Sequence, residues 1–152
     1  MQVRDLMTVE VFSVRTDTAV SDIARLMSKH HVSGVPVLGM DGELVGIVTE
    51  LDLIVRNGRL EMPVFLQIFD AVVPLELPGH LTTRLRHMLG TRAEDVMKRG
   101  VHTVTADTDV EELVEVMKRG VNPVPVLEGG RLAGIVSRSD LVRMMAKDLG
   151  TT

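Results

Sequence analysis

The sequence predicts an α/β (α+β) fold in which one β-α-β-β-α unit occurs twice. The first observation is an internal repeat, because GIVTELDL at 46–53 returns as GIVSRSDL at 134–141. The repeat extends over three pairs of segments, with 19 identities in 41 aligned positions: 5–27 with 95–117, 32–38 with 121–127, and 44–54 with 132–142. The second observation is that each copy contains both strand-like and helix-like hydrophobic spacing. Together these observations indicate one supersecondary unit used twice.

Each copy opens with a short alternating run, VFSV at 11–14 or VHTV at 101–104, which predicts a brief strand. An amphipathic helix follows, because apolar residues recur at i, i+3, i+4 and i+7. These residues are Val20, Ile23, Ala24 and Met27 in the first copy, and Val110, Leu113, Val114 and Met117 in the second. Thr18 and Thr108 stand where an N-cap is expected, and Thr108 with Glu111 has the spacing of a capping box.

Two valine-rich runs around a glycine-containing turn then predict a β-hairpin in each copy. The runs are 32–38 and 43–48 in the first copy, and 121–127 and 131–136 in the second. A second helix is predicted to begin near Thr49 or Ser137.

Residues 55–92 interrupt the repeat and carry the apolar helical stripe of Phe65, Ile68, Phe69 and Val72. We expect this helical insert either to cover an exposed edge of the core or to form a dimer or partner surface. His80 and His87 lie in the same insert, but no third ligand accompanies them, so we expect no metal site.

The composition argues against several classes of protein. The 152 residues contain no cysteine, which excludes disulfides and thiolate metal sites. The net charge of −4 argues against binding of a nucleic acid backbone, and no apolar run is long enough to span a membrane. No nucleophile elbow or phosphate-binding loop is present, so we expect a cytoplasmic protein that is not an enzyme. With three Phe as the only aromatic residues, a flat ligand should be held mainly by aliphatic side chains.

The repeated motif, a hydroxyl residue followed three positions later by aspartate, marks a strand-to-helix junction. A hydroxyl there is an ordinary N-cap, and an acid in the first turn is an ordinary partner for the helix dipole. The functional interpretation is that the helix N-terminus suits a phosphate, while the carboxylate can accept both hydroxyls of a cis-diol. A diol and a phosphate together indicate a nucleotide.

The order of elements, the strands VSGVPVL and VNPVPVL, and the tandem GIVT-x-x-D and GIVS-x-x-D motifs resemble a pair of cystathionine beta-synthase (CBS) domains, or Bateman module. The resemblance assigns residues 1–57 and 91–147 to two units, 58–90 to the insert and 148–152 to a tail. It implies two units related by a pseudo-twofold axis and packed through their sheets. It also implies two clefts between the units that bind AMP, ADP, ATP or another adenosyl ligand.

The resemblance further implies that Asp52 and Asp140 hold the ribose, with Thr49 and Ser137 beside them, and that each cleft takes its base-binding wall from the other unit. One site would contain Thr8, Ser13, Val32, Ser33, Pro36, Ser137 and Asp140. Its twin would contain Thr103, Val121, Asn122, Pro125, Thr49 and Asp52. Arg138 lies where it could reach a phosphate, whereas the first copy has Glu50 there. We therefore expect the site with Asp140 to be the better one for phosphorylated nucleotides.

These features predict a regulatory module that requires no cofactor and senses an adenine nucleotide or related adenosyl ligand. Binding would shift its conformation or oligomer packing. Expected partners are a second copy of the chain, because homodimers are common in the family, and an unidentified regulated protein. The alternative is a scaffold or oligomerisation module without a physiological small ligand.

Overall fold

The computed structural model describes residues 1–55 and 91–150, and these form two similar halves, each built on a three-stranded sheet. In both sheets the three strands lie in chain order, the first two pairing in parallel and the last two pairing antiparallel. This arrangement confirms the predicted α/β fold and its duplication. The expectations for the insert, including those for Phe65, Phe69, His80 and His87, lie outside the described residues.

The first half contains β1 (Val14–Arg15), α1 (Val20–His30), β2 (Gly34–Leu38), β3 (Leu44–Thr49) and α2 (Glu50–Val55). The predicted helical stripe is buried, because Val20, Ile23 and Met27 all belong to the core. The predicted hairpin is confirmed as β2 and β3, whose register shifts between Val37 and Leu38. The hairpin therefore brings the motif at 46–53 to the end of the sheet, where α2 begins.

The second half repeats this order with β4 (Val104–Thr105), α4 (Val110–Lys118), β5 (Val124–Glu128), β6 (Arg131–Val136) and α5 (Arg138–Leu149). Leu113 and Met117 of α4 pack in its core, as the periodicity predicts. Unlike α1 and α4, helix α5 has no buried residue.

The two halves exchange their opening segments. A 3₁₀ helix at Val3–Asp5 packs on the second half, where Val3 is fully buried in the core that contains Val104 and Leu113. Helix α3 (Ala93–Val96) packs in the same way on the first half. Backbone hydrogen bonds fix both crossings, from the Val3 N–H to the Thr108 carbonyl (2.9 Å) and from the Ala93 N–H to the Thr18 carbonyl (2.8 Å). Each core is thus completed by residues from the other repeat.

Two local predictions require correction. The opening strands lie at 14–15 and 104–105, later and shorter than the runs at 11–14 and 101–104. Thr18 and Thr108 are not N-caps, because α1 and α4 begin at Val20 and Val110 after Ala19 and Asp109. Their hydroxyls instead accept the N–H groups of Arg15 and Thr105 at 3.0 Å. The threonines therefore stabilise the turn that follows each short strand.

Candidate functional site

The repeated motif forms a side-chain cap at the start of the last helix in each half. In the first half, Oδ2 of Asp52 accepts the backbone N–H and the hydroxyl of Thr49, both at 2.9 Å. The Asp52 N–H donates to Oγ1 of Thr49 at 3.3 Å, which completes a reciprocal capping box. The hydroxyl and the acid are therefore coupled through three bonds, which accounts for their spacing of three residues.

The second half builds the same junction on α5. Oδ2 of Asp140 accepts the N–H and the hydroxyl of Ser137, both at 2.7 Å. A further bond comes from Asn122, whose Oδ1 accepts the Arg138 N–H at 2.8 Å. In the first half the backbone carbonyl of Ser33 accepts the corresponding N–H, that of Glu50, at 3.0 Å. Asn122, predicted as a ligand residue, thus supports the start of α5.

The second oxygen of each carboxylate faces a cation. Oδ1 of Asp52 lies 3.3 Å from Nζ of Lys98, and Oδ1 of Asp140 accepts a bond from Nη1 of Arg143 at 2.9 Å. The carboxylate side chains are only 8% and 10% exposed, whereas the two cations are more than half exposed. A ligand hydroxyl can therefore reach these Oδ1 atoms when the mobile end of the cation moves aside.

One cleft, cleft A, brings Asp140 together with residues of the first repeat. It encloses about 330 Å³, within the range of small-molecule sites. Five predicted residues line it: Thr8, Val32, Ser33, Ser137 and Asp140. The backbone of Thr8 is fixed by reciprocal hydrogen bonds with Ile135, of 2.9 and 3.0 Å. Cleft A thus combines a wall from one repeat with a helix start from the other, as the resemblance implies.

Cleft A also contains an aromatic surface that the sequence did not predict. Phe12 and His30 stack with ring centroids 3.8 Å apart and an interplanar angle of 20°, and both residues line the cleft. Phe12 is 42% exposed. A flat base could therefore stack on an aromatic ring here, rather than only on the aliphatic side chains that the composition favoured.

The other cleft, cleft B, encloses about 530 Å³ between the start of α2 and residues of the second repeat. Thr49, Val121 and Asn122 line it as predicted, together with Lys98. Asp52 itself is not part of the lining, because it lies behind Lys98 and is only 7% exposed.

Besides Asp52, four predicted residues lie in neither lining. Pro36 and Pro125 are buried in β2 and β5, opposite Ile47 and Ile135. Ser13 is partly exposed just before β1, and Thr103 lines a separate depression beside Gly130.

Comparison with known proteins identifies the architecture. The family model for the CBS domain matches residues 3–57 and 93–147, which together make up more than half of the chain. This chain belongs to the CBS-domain family. A CBS domain-containing protein of Dictyostelium discoideum is 30% identical over 149 residues, which is 97% of this chain and 92% of that protein.

Solved CBS structures share the fold. The CBS domain of a CBS domain-containing membrane protein from Sphaerobacter thermophilus has a TM-score of 0.74 and 29% identity, covering 94% of this chain and 86% of that chain. Arabidopsis thaliana CBSX2 in complex with AMP has a TM-score of 0.71 and 23% identity, covering 97% and 98%. Both are CBS pairs in architecture, as is this chain.

The charge distribution in this CBS pair differs from the sequence-based expectation. Arg138 does not line cleft A beside Asp140; it lines cleft B. Cleft B also contains Lys98, Arg99 and Arg119, against one lining carboxylate among the described residues, Glu50. Cleft A has Arg143 together with two carboxylates, those of Glu10 and Asp140. Among the described residues, cationic side chains are therefore concentrated in cleft B rather than in the cleft of Asp140, and the preference of either cleft for phosphorylated nucleotides stays a prediction.

Sequence reasoning missed Arg99, Arg119 and Arg143. A signal for the first two was present, because Lys-Arg-Gly occurs at 98–100 and again at 118–120. Gly100 and Gly120 both adopt positive φ, of 64° and 91°. These are turns in the left-handed region that favours glycine. Arg99 and Gly100 of the first tripeptide and Arg119 and Gly120 of the second line cleft B.

Within residues 1–55 and 91–150, no cluster of three or more potential ligands is arranged to hold a metal ion. The helices of this same part of the chain are all too short or too polar to cross a bilayer.

Proposed function

We propose that this CBS pair is a regulatory module that binds an adenine nucleotide or a related adenosyl ligand between its two repeats. The observation that carries the proposal is the position of Asp140, whose carboxylate is anchored at the start of α5 while it lines cleft A. Its Oδ2 is held by Ser137, so Oδ1 is the atom that would accept the hydroxyls of a ribose. The solved AMP complex of CBSX2 supports the proposal because it shows that a protein of this fold accommodates such a ligand.

The remaining walls of cleft A suit the other parts of a nucleoside. The ring of Phe12 offers a stacking surface for a base, and Val32 supplies an aliphatic contact from the first repeat. Thr8 and Ser137 also line the cleft near the helix start, where the hydroxyl group of Ser137 holds Asp140 in place. A charge-assisted hydrogen bond from a ribose hydroxyl to Asp140 contributes about 1.5–3 kcal/mol, enough to change affinity by about tenfold or more.

Regulation follows from the composition of the two clefts. Each is lined by residues of both repeats, so a bound ligand contacts both halves of the molecule at once. A ligand that makes these contacts better in one arrangement of the halves shifts the population toward that arrangement. The fraction of molecules in each arrangement therefore depends on ligand concentration, and this response needs no catalytic group.

A homodimer is the proposed assembly that would transmit this change to a regulated protein. Helix α5 exposes Val142, Met145 and Leu149, which are 64%, 57% and 78% accessible and recur at i, i+3 and i+7. An apolar stripe of this spacing on an otherwise polar helix is typical of a helix that packs against a partner. Asp140 and Arg143 of the same helix line cleft A, so α5 would couple ligand binding to assembly.

The test is a calorimetric titration with adenosine, AMP, ADP, ATP and S-adenosylmethionine, supported by thermal unfolding. At a ligand concentration of 100 Kd, binding stabilises the native state by about 2.7 kcal/mol, which raises Tm measurably. We expect Asp140→Asn to weaken the tightest ligand of cleft A by about tenfold. Asp22→Asn is the matched control, because Asp22 is another first-turn aspartate but pairs with the exposed Arg25 on α1. Heat of binding absent for all five compounds would contradict the proposal.

A further inference from the structure

The two clefts differ in how their aspartates are covered, and the difference originates at one repeated position. Residue 8 of the first repeat is threonine, whereas the aligned residue of the second is Lys98. Both residues are fixed by the same backbone pairing, since Lys98 exchanges hydrogen bonds of 2.9 and 3.0 Å with Ile47, as Thr8 does with Ile135. Only the side chain of Lys98 can therefore move, and its ammonium group lies at Asp52.

Asp52 has both carboxylate oxygens in use. Its Oδ2 accepts two bonds from Thr49, and its Oδ1 faces Nζ of Lys98 at 3.3 Å. A sugar hydroxyl in cleft B can therefore reach Oδ1 only after Lys98 turns away. When the ammonium group moves away, the Asp52 side chain, which is only 8% exposed, loses its counter-ion. This loss is unfavourable unless a hydroxyl group of the ligand donates a hydrogen bond to Oδ1 in its place.

The place to which Lys98 would turn is already positively charged. Arg99, Arg119 and Arg138 line the same cleft, and none of the three makes an ion pair with another residue in the described part of the chain. Repulsion from these three arginines opposes movement of the Lys98 ammonium group away from Asp52 and farther into the cleft. A ligand that carries phosphate groups removes this repulsion and provides Lys98 with a new partner.

We propose, on the basis of the function proposed above, that Lys98 is a specificity-determining latch that restricts cleft B to polyphosphorylated nucleotides. The phosphates of a nucleoside di- or triphosphate draw Lys98 from Asp52, and the uncovered Oδ1 then accepts the ribose. An unphosphorylated nucleoside cannot supply the replacement anion, so the latch stays closed. Cleft B thus binds the sugar of a ligand only when the ligand also carries enough negative charge to displace Lys98.

Cleft A lacks this requirement. Thr8 carries no charge, and the cation on Asp140 is Arg143, one turn along the same helix with a side chain that is 65% exposed. Arg143 can leave Asp140 for solvent without approaching another lining Lys or Arg, because Arg143 is the one such residue among the described residues that line cleft A. Cleft A is therefore open to a nucleoside whose charge is low.

The latch is tested by replacing Lys98 with the residue that the first repeat has at the aligned position. Lys98→Thr places in cleft B the residue that the first repeat has at position 8, and the Asp140→Asn background suppresses ribose binding in cleft A. Adenosine, AMP and ATP are titrated into both proteins by calorimetry at low and high salt. With Lys98 present, we expect affinity to rise by about tenfold or more from adenosine to ATP and to fall with salt. With Lys98→Thr, we expect adenosine to bind more tightly and ATP more weakly, so that the preference for ATP decreases by about tenfold or more.

Lys98→Met keeps the aliphatic stem and removes only the charge, so it should reproduce the effect of threonine if the ammonium group is responsible. An equal loss of affinity for adenosine and ATP in both variants would overturn the latch, since Lys98 would then be a simple contact or a structural residue. That result would leave nucleotide binding itself in place. Absence of binding by any compound to the unmodified chain would instead contradict the proposed function and the latch together.

Discussion

Gly46 and Met97 approach so closely that a side chain on the glycine has no room. A Cβ atom built on Gly46 would lie 2.6 Å from Sδ of Met97 and 2.9 Å from the carbonyl oxygen of Lys98. The second repeat has the same relationship between Gly134 and Met7, with corresponding distances of 2.8 Å to Sδ and 3.1 Å to the Thr8 carbonyl. The glycine of each GIV motif therefore admits the opening segment of the other repeat against the sheet.

Gly46→Ala should lower the free energy of unfolding by about 1–3 kcal/mol, because the methyl group meets a backbone carbonyl that is fixed by its pairing with Ile47. Gly134→Ala should cost less, since its nearest backbone atom is farther away. Gly150→Ala serves as the control, because a Cβ there makes only ordinary contacts at 3.5 Å or more. Urea unfolding monitored by circular dichroism measures all three variants. Equal stabilities for the alanine variants at positions 46 and 150 would contradict the close approach.

The exchange of opening segments predicts which core a mutation will affect. Val3→Ala should destabilise the second half by about 1–3 kcal/mol, although position 3 belongs to the first repeat, because Val3 is buried beside Leu113. A double-mutant cycle distinguishes the halves. Val3→Ala should be non-additive with Leu113→Ala and additive with Ile23→Ala, whose side chain lies in the other core. The reverse pattern of coupling would mean that each repeat folds on its own segment.

Local sequence signals predicted much of this architecture. The helical stripe at Val20, Ile23 and Met27 and the hairpins follow from periodicities that depend only on neighbouring residues. The capping pair of Thr49 and Asp52 was predictable for the same reason, since its spacing is fixed within one helical turn.

Features that depend on how the repeats meet were not predictable in this way. The first and second repeats have the same pattern in their opening segments, so nothing local indicates that Val3 packs on the second core. Arg138 occupies the first position of α5, and its spacing does not reveal that it lines cleft B while its neighbour Ser137 lines cleft A. The pairing of Lys98 with Asp52 likewise joins residues 46 positions apart, and only the tertiary fold brings them together.

Asn122 should affect stability even when no ligand is bound. Asn122→Ala removes the oxygen that accepts the Arg138 N–H, and loss of such a cap costs about 0.5–2 kcal/mol. Asn122→Asp keeps an acceptor at the same place and should retain most of the stability. Thermal unfolding of the two variants without nucleotide measures the difference. If Asn122→Ala leaves the stability unchanged, the hydrogen bond from the Arg138 N–H to Asn122 does not stabilise the fold. That result would favour a role for Asn122 in ligand binding alone.

Helix α5 provides a direct test of the proposed dimer. Met145→Glu places a charge in the exposed apolar stripe formed with Val142 and Leu149, where it would have to be desolvated at a helix interface. We expect this variant to shift the mass measured by light scattering from dimer to monomer while its circular dichroism spectrum stays unchanged. Met40→Glu is the matched control, because Met40 is 89% exposed in the turn between β2 and β3, away from α5. A dimer that persists with glutamate at position 145 would exclude the α5 stripe as the interface and favour the insert around Phe65 and Phe69.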